Sequence, residues 1–248
     1  MIMIDKLTIF QQALAIRKKL GESDTSPVDV FNLVQNIPHL TLVLYPMGKN
    51  ISGMCVQIGS EAVIAINSSM SMGRQNFSLA HELYHYYFDK DQKTTICEMT
   101  IGKGNDIEKS ADQFASYFLI PLGAEIISSI KDEISFEKMI ELEQYYQVSH
   151  QAMLYRLLGE RIITPKQVEY YKNQKVMCAA ASLGFDTALY KPSRKENDCK
   201  TLGYYIKQTQ ELLNHEKISE GKYEQLLLEA FRADLVYGEE LEEEELDD

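Results

Sequence analysis

No stretch of this 248-residue chain approaches the roughly 20 consecutive apolar residues that a membrane-spanning helix needs. The opening Met1-Ile2-Met3-Ile4-Asp5-Lys6 lacks a basic segment followed by a long apolar run, so no secretory signal is expected and the expected address is the cytoplasm. No two of the four cysteines form a C-x-x-C pair. Cys55, Cys97, Cys178 and Cys199 are spaced for neither a disulfide framework nor a thiolate zinc site, and read as reduced, mostly packed thiols. Positive charge is scarce too: 25 Lys and Arg against 37 Asp and Glu leave a net charge of −12. Eight of those acids, and no base, fall in the last ten residues, Glu239 to Asp248, which leaves −4 for the rest. The tail (239–248) is expected to be solvated and disordered. An acidic body argues against a large nucleic-acid footprint, because phosphate binding needs clustered Lys and Arg. An internal repeat is also missing.

Apolar residues make up 45 % of the chain, enough to build a core for one large domain or two small ones. Leu7, Phe10, Leu14 and Arg17 recur at helical spacing, which predicts an amphipathic helix over 5–20 closed by Gly21. Ser26-Pro27-Val28-Asp29 reads as a second helix start, with Ser26 as cap, and that helix should end near Asn36. Three β-rich runs follow at 40–45, 51–58 and 62–66, the last two joined closely enough by Gly59-Ser60 for a hairpin. Helical period returns over 74–88. Residues 89–106 read as a loop-rich connection, and a helix from Asp106 to Ile120 is stopped by Pro121. The remainder reads as helical: a pair over 136–146 and 149–158, a helix opened by Thr164-Pro165, a polar linker over 191–200, and helices over 201–214 and 220–236, the last capped by Ser219. The expected class is therefore α+β, a small three-stranded sheet with helices, followed by a helical C-terminal region.

Within the 74–88 helix lies Ala80-His81-Glu82-Leu83-Tyr84-His85, an H-E-x-x-H pattern. Residues four apart share a helix face, so two imidazoles can reach one ion, each at about 2.0–2.1 Å. The glutamate between them is angled toward a water at the metal and away from the metal itself. Two histidines on a helix can instead be ordinary packed or surface residues. Here Phe77, His81, Tyr84 and Phe88 form an inward stripe, with His85 beside it, and two inward imidazoles need partners that a metal would satisfy. A catalytic zinc takes three protein ligands and one open position. A third histidine six residues past His85 would mark the metzincin pattern, but that position is Asp91, so the third ligand comes from elsewhere. Glu98, Asp106, Glu108, Asp112 and His150 are candidates. Glu108 fits best, because it shares a helical stripe with Ala111, Ala115 and Phe118 that is small and apolar enough to lie against the first helix. Its plainer role would be an acid complementing the helix dipole. Asp112, one turn on, is placed to fix the tautomer of a ligating histidine, its plainer role being an exposed helix acid.

Arg74-Gln75-Asn76-Phe77-Ser78-Leu79-Ala80-His81-Glu82-Leu83-Tyr84-His85 resembles the signature helix of the ImmA/IrrE family of gluzincin-like metallo-endopeptidases. Residues 107–115 through Leu119-Ile120-Pro121 resemble that family's second motif, and the Glu108/Asp112 pair resembles the E-x-x-x-D element of gluzincin peptidases, in which the Glu is a ligand and the Asp an outer-shell partner. Pro27-Val28-Asp29-Val30, Ser52-Gly53 and Ile64-Ala65-Ile66-Asn67 match upstream pieces, and the resemblance covers about residues 10–160. It implies a zincin-like domain over 1–125, with His81, His85 and Glu108 holding Zn2+, Glu82 as catalytic base and Asp112 behind the ligands. A helix-turn-helix-like segment (126–165) and a C-terminal helical region (166–238) would follow. Two departures stand out: Tyr84 where the family usually has Gly, and Asp112 where it usually has Asn. Tyr84 would narrow the site or offer a hydroxyl to substrate.

The resemblance further implies cleavage of a protein substrate, an Xre-type helix-turn-helix repressor encoded nearby, in a stress or mobile-element response. The acidic tail would attract a basic partner or merely aid solubility. A non-proteolytic zinc-containing regulator, or a toxin–antitoxin component that binds a repressor or DNA, fits the same residues. Direct DNA binding is opposed by the charge of the helix-turn-helix-like segment, where Glu137, Glu141, Glu143 and Glu160 outnumber Lys138, Arg156 and Arg161. No membrane partner is expected.

Overall fold

The computed structural model describes residues 5–48, 50–89, 94–98, 100–121, 134–193 and 198–238. The expected disordered tail and the boundary at 125 lie outside the described residues. The class is α+β, and the sheet is wider than the three expected strands. Five strands run in the order β4-β2-β3-β1-β5. They are β1 (Leu40–Tyr45), β2 (Ile51–Ile58), β3 (Glu61–Asn67), β4 (Thr94–Glu98) and β5 (Lys200–Gly203). β2 and β3 form the predicted antiparallel hairpin, turned by Gly59-Ser60 with Gly59 at φ 63°. β1 lies parallel to β3, while the two additional strands are antiparallel additions at opposite edges, β4 on β2 and β5 on β1.

α1 (Lys6–Lys19) forms where periodicity placed it, but the face it buries is Ile9, Ala13, Ile16 and Arg17, while Leu7 is exposed. Arg17 is fully buried because its guanidinium ends on backbone carbonyls: Nε donates to Ser23 O at 2.7 Å, and the two other nitrogens donate to Phe118 O and Ser26 O. A buried charge is tolerable when each of its nitrogens finds an acceptor in this way. α2 (Val30–Gln35) starts three residues later than Ser26 would require, capped by Asp29, whose carboxylate accepts from Asn32 N. An Asx cap directly preceding an apolar helix outcompetes a serine three residues upstream.

α3 (Met72–Phe88) packs on one face of the sheet against β2 and β3, and α4 (Asp106–Leu119) packs against α3 and α1. Asn105 caps α4, accepting from Ile107 N and Glu108 N. α5 (Phe136–Tyr146) and α6 (His150–Gly159) form the expected pair. They turn through Gln147 in the left-handed region (φ 54°), after which Ser149 caps α6. That turn presses on the start of α3: a Cβ at Gly73 would sit 2.6 Å from Ser149 N, so only glycine permits this approach. α7 (Pro165–Lys172) opens with the predicted Thr164-Pro165, as a full capping box with Gln167. α8 (Val176–Ser182), a 3-10 turn (Ala188–Tyr190) and β5 lead to α9 (Tyr204–Asn214). The predicted 220–236 helix is two pieces, α10 (Glu220–Glu229) and α11 (Ala233–Tyr237), broken where Phe231 takes φ 59°. A single buried cluster draws on residues from Ile9 to Tyr171.

Candidate metal centre

α3 presents His81 and His85 one turn apart, and α4 presents Glu108 toward both. His81 Nε2 lies 3.2 Å from His85 Nε2 and 3.3 Å from Glu108 Oε2, and His85 Nε2 lies 3.6 Å from Glu108 Oε1. An ion bound tetrahedrally at about 2.0–2.1 Å separates its ligand atoms by about 3.3 Å, so the two imidazoles and the Glu108 carboxylate already stand about as far apart as the corners of such a polyhedron.

The opposite ring nitrogens are occupied. His81 Nδ1 meets Asp112 Oδ1 at 2.8 Å, and His85 Nδ1 meets Asp89 Oδ2 at 3.1 Å. Asp112 Oδ2 is held in turn by the Gly102 N–H. With each Nδ1–H donating to a carboxylate, both Nε2 lone pairs point into the same small space. Two facing lone pairs and a carboxylate repel one another unless a proton or a metal ion sits among them. Acidities report the same demand. Burial disfavours the His81 imidazolium, yet Asp112, Cys97 and Glu108 facing it carry it well above its ordinary 6.5. Burial, then the charge on His81, pushes His85 below the same value. Glu108 is destabilised as an anion by burial, but the two histidines hold it below 4.5. The donor set, two imidazoles and a carboxylate, therefore fits a catalytic zinc ion.

Glu82 points toward β2. It is fully buried, and neither carboxylate oxygen has a hydrogen-bond partner among the described residues. Burial, opposed by the charge on His81, raises its pKa to about 7. Glycine at position 53 leaves room for it: a Cβ there would lie 2.8 Å from Glu82 Oε1 and would displace the carboxylate. Beside the histidines, a cleft of about 230 Å³ opens between His81, Glu108 and Asp112 on one side and Thr100, Lys103 and Asn105 on the other.

Two other candidate ligands, His150 and Asp106, lie apart from this group. His150 bonds Glu143 and Tyr171 O, and Asp106 pairs with Lys109 at 3.8 Å. Tyr84 neither narrows the cleft nor offers it a hydroxyl. It is buried between α3 and α4 against Phe88 and Phe114, ring centroids 5.3 and 5.7 Å away. Three neighbours of the site were not picked out from sequence as such. Asp89 stands one helical turn after His85, a spacing that could have revealed it. Gly53 was visible only as part of a resemblance. Cys97, read as a packed thiol, instead brings its sulfur into a group with His81, His85 and Glu108 whose ligand atoms all lie within 4.8 Å of one another. It was hidden because 89–106 reads as loop, whereas Thr94–Glu98 forms β4 and sets Cys97 opposite Gly53.

A family model described as the IrrE N-terminal-like domain of Peptidase_M78 matches residues 40–158. This segment is an ImmA/IrrE-type metallopeptidase domain. The matched residues carry every side chain of the cluster, from Gly53 on β2 to Asp112 on α4. No curated protein matches the chain. No described helix is long and apolar enough to cross a membrane.

Proposed function

We propose that the protein is a zinc-dependent endopeptidase in which His81, His85 and Glu108 hold the ion and Glu82 is the general base. The observation that carries this reading is the triangle of His81 Nε2, His85 Nε2 and Glu108 at 3.2–3.6 Å, with an unpaired buried carboxylate beside it. When bound, zinc polarises the scissile carbonyl and acidifies the attacking water. Glu82 accepts the proton of that water on a carboxylate oxygen, and its raised pKa suits it to return the proton to the leaving amine nitrogen. Asp112 and Asp89 hold the two rings in the tautomer that keeps Nε2 free. Gly53 keeps Glu82 clear of β2.

The substrate on this reading is a helix-turn-helix repressor protein, and the chain acts on that protein, not on DNA. The buried state of Arg156, which bonds Ile120 O and Glu160, supports this, as does the pairing of Lys138 with Glu141 at 2.9 Å. Two of the three cations in the α5–α6 segment are thereby engaged within the protein.

The test is incubation with the repressor encoded beside the gene, with and without chelator. Chelator-sensitive fragments are expected. Glu82→Gln should retain zinc and lose cleavage, and His81→Ala should lose both. Normal cleavage by Glu82→Gln refutes the assignment, and a stable uncleaved complex favours a regulator that acts by binding.

A further inference from the structure

The cluster holds one ligand-type atom more than a catalytic zinc site uses. We infer that Cys97 is a fourth donor that closes the site, so that the protease rests in a latent state. The inference rests on the zinc reading above.

Three observations point the same way. The Cys97 sulfur is buried and lies in one group with the ligand atoms of His81, His85 and Glu108, all within 4.8 Å of one another. Its placement is built in: β2 and β4 slip register between Ile51 and Gly53, Cys97 pairs with Gly53, and the Ser52 hydroxyl donates to Cys97 O at 3.2 Å. Glu82, finally, is fully buried on the side of Cys97, and neither of its oxygens has a partner at hydrogen-bond distance among the described residues. Four protein donors around zinc make a closed site, whereas hydrolysis needs one position open.

Closing forms one bond from the Cys97 sulfur to the metal as the thiol proton passes to solvent, and opening reverses both changes. The strand that carries Cys97 is suited to opening. Among the described residues β4 is an outer strand paired to β2 alone, so its displacement breaks one ladder and leaves the other described pairings intact. A substrate segment that displaces β4, or binds next to it, would withdraw the sulfur and uncover the fourth position.

X-ray absorption of the zinc-loaded full chain tests this directly. A sulfur neighbour at about 2.3 Å is expected beside nitrogen and oxygen at about 2.0–2.2 Å. Cys97→Ala and Cys97→Ser should lose the sulfur shell and keep the zinc. In the cobalt-substituted Cys97→Ala protein, acetohydroxamate should bind more tightly than in the cobalt-substituted parent, because the fourth position is free. Zinc bound with no sulfur neighbour in the parent overturns the inference and leaves the proposed function standing. Equal acetohydroxamate affinity in parent and variant overturns latency. Failure of the parent chain to bind zinc at all overturns both readings.

Discussion

Replacing Gly73 by alanine sets two effects of opposite sign against each other. Gly73 is the second residue of α3, where Gly→Ala should gain up to about 1 kcal/mol from reduced backbone entropy. The added methyl, however, would sit 2.6 Å from Ser149 N, 2.7 Å from Val148 C and 3.0 Å from Ser149 Cα. Ordinary contact begins near 3.4 Å, so the α5–α6 turn must retreat by about 0.8 Å, and all three obstacles are backbone, which cannot swing aside like a side-chain tip. Overpacking of this kind costs about 1–3 kcal/mol, which exceeds the propensity gain. A net loss of about 1–2 kcal/mol is expected. Gly221 provides the control. It is also the second residue of a helix, α10, and a Cβ there would meet nothing within 4 Å. Gly221→Ala should therefore be neutral or stabilising by up to about 1 kcal/mol. Urea unfolding of the two variants beside the parent measures both effects. If Gly73→Ala proves as stable as Gly221→Ala, the close approach does not constrain the fold and the reasoning fails.

Other consequences can be checked separately. Asp89→Asn replaces the carboxylate behind His85 and should weaken zinc binding roughly 10–100-fold. Competition with a chromogenic chelator measures this, and unchanged affinity would remove Asp89 from the site. Glu143 is fully buried, and burial, opposed by bonds from His150 and Tyr190, holds its carboxyl above 4.5. The folded state then binds the proton more tightly than the unfolded state, so this group's contribution is intact below 4.5 and is lost as pH rises through the folded pKa. Glu143→Gln should flatten that part of the stability profile between mildly acidic and neutral pH, and parallel profiles for parent and variant would contradict it.

Much of this was legible in the chain because helical period is a strong signal. The 74–88 run, the Asp106–Ile120 run and the Thr164-Pro165 start all appear in the structure within a residue or two, and the β2–β3 hairpin follows from two β-rich runs around Gly59-Ser60. His81, Glu82 and His85 were marked by spacing on one helix. Glu108 was harder, since its nearness to them is a property of how α4 lies on α3, yet its apolar stripe pointed there. β4 and β5 escaped notice for a physical reason. Each is an edge strand of four or five residues with one neighbour, so tertiary pairing decides its state more than local composition does. Because β4 was read as loop, Cys97 had no face to point from. The buried face of α1 is rotated from the Leu7-Phe10-Leu14-Arg17 stripe toward Ile9, Ala13 and Ile16, and of that stripe Arg17 goes fully inside because the carbonyls of Ser23, Ser26 and Phe118 accept from it.

The attachment of β5 to β1 bears on any effort to isolate the peptidase segment. A fragment cut at residue 158 would strip the antiparallel partner from Thr41 through Leu44 and leave a raw strand border whose core-facing Leu42 and Leu44 are nearly solvent-free in the intact chain. Such a border recruits other chains. It would also forfeit α7, whose Tyr171 donates its hydroxyl to Ile134 O at 2.8 Å from inside the same buried cluster. Soluble, monodisperse preparations should therefore be sought from designs that extend through Gly203 and its following helices, the tract that hems the sheet on the side away from the candidate metal cluster.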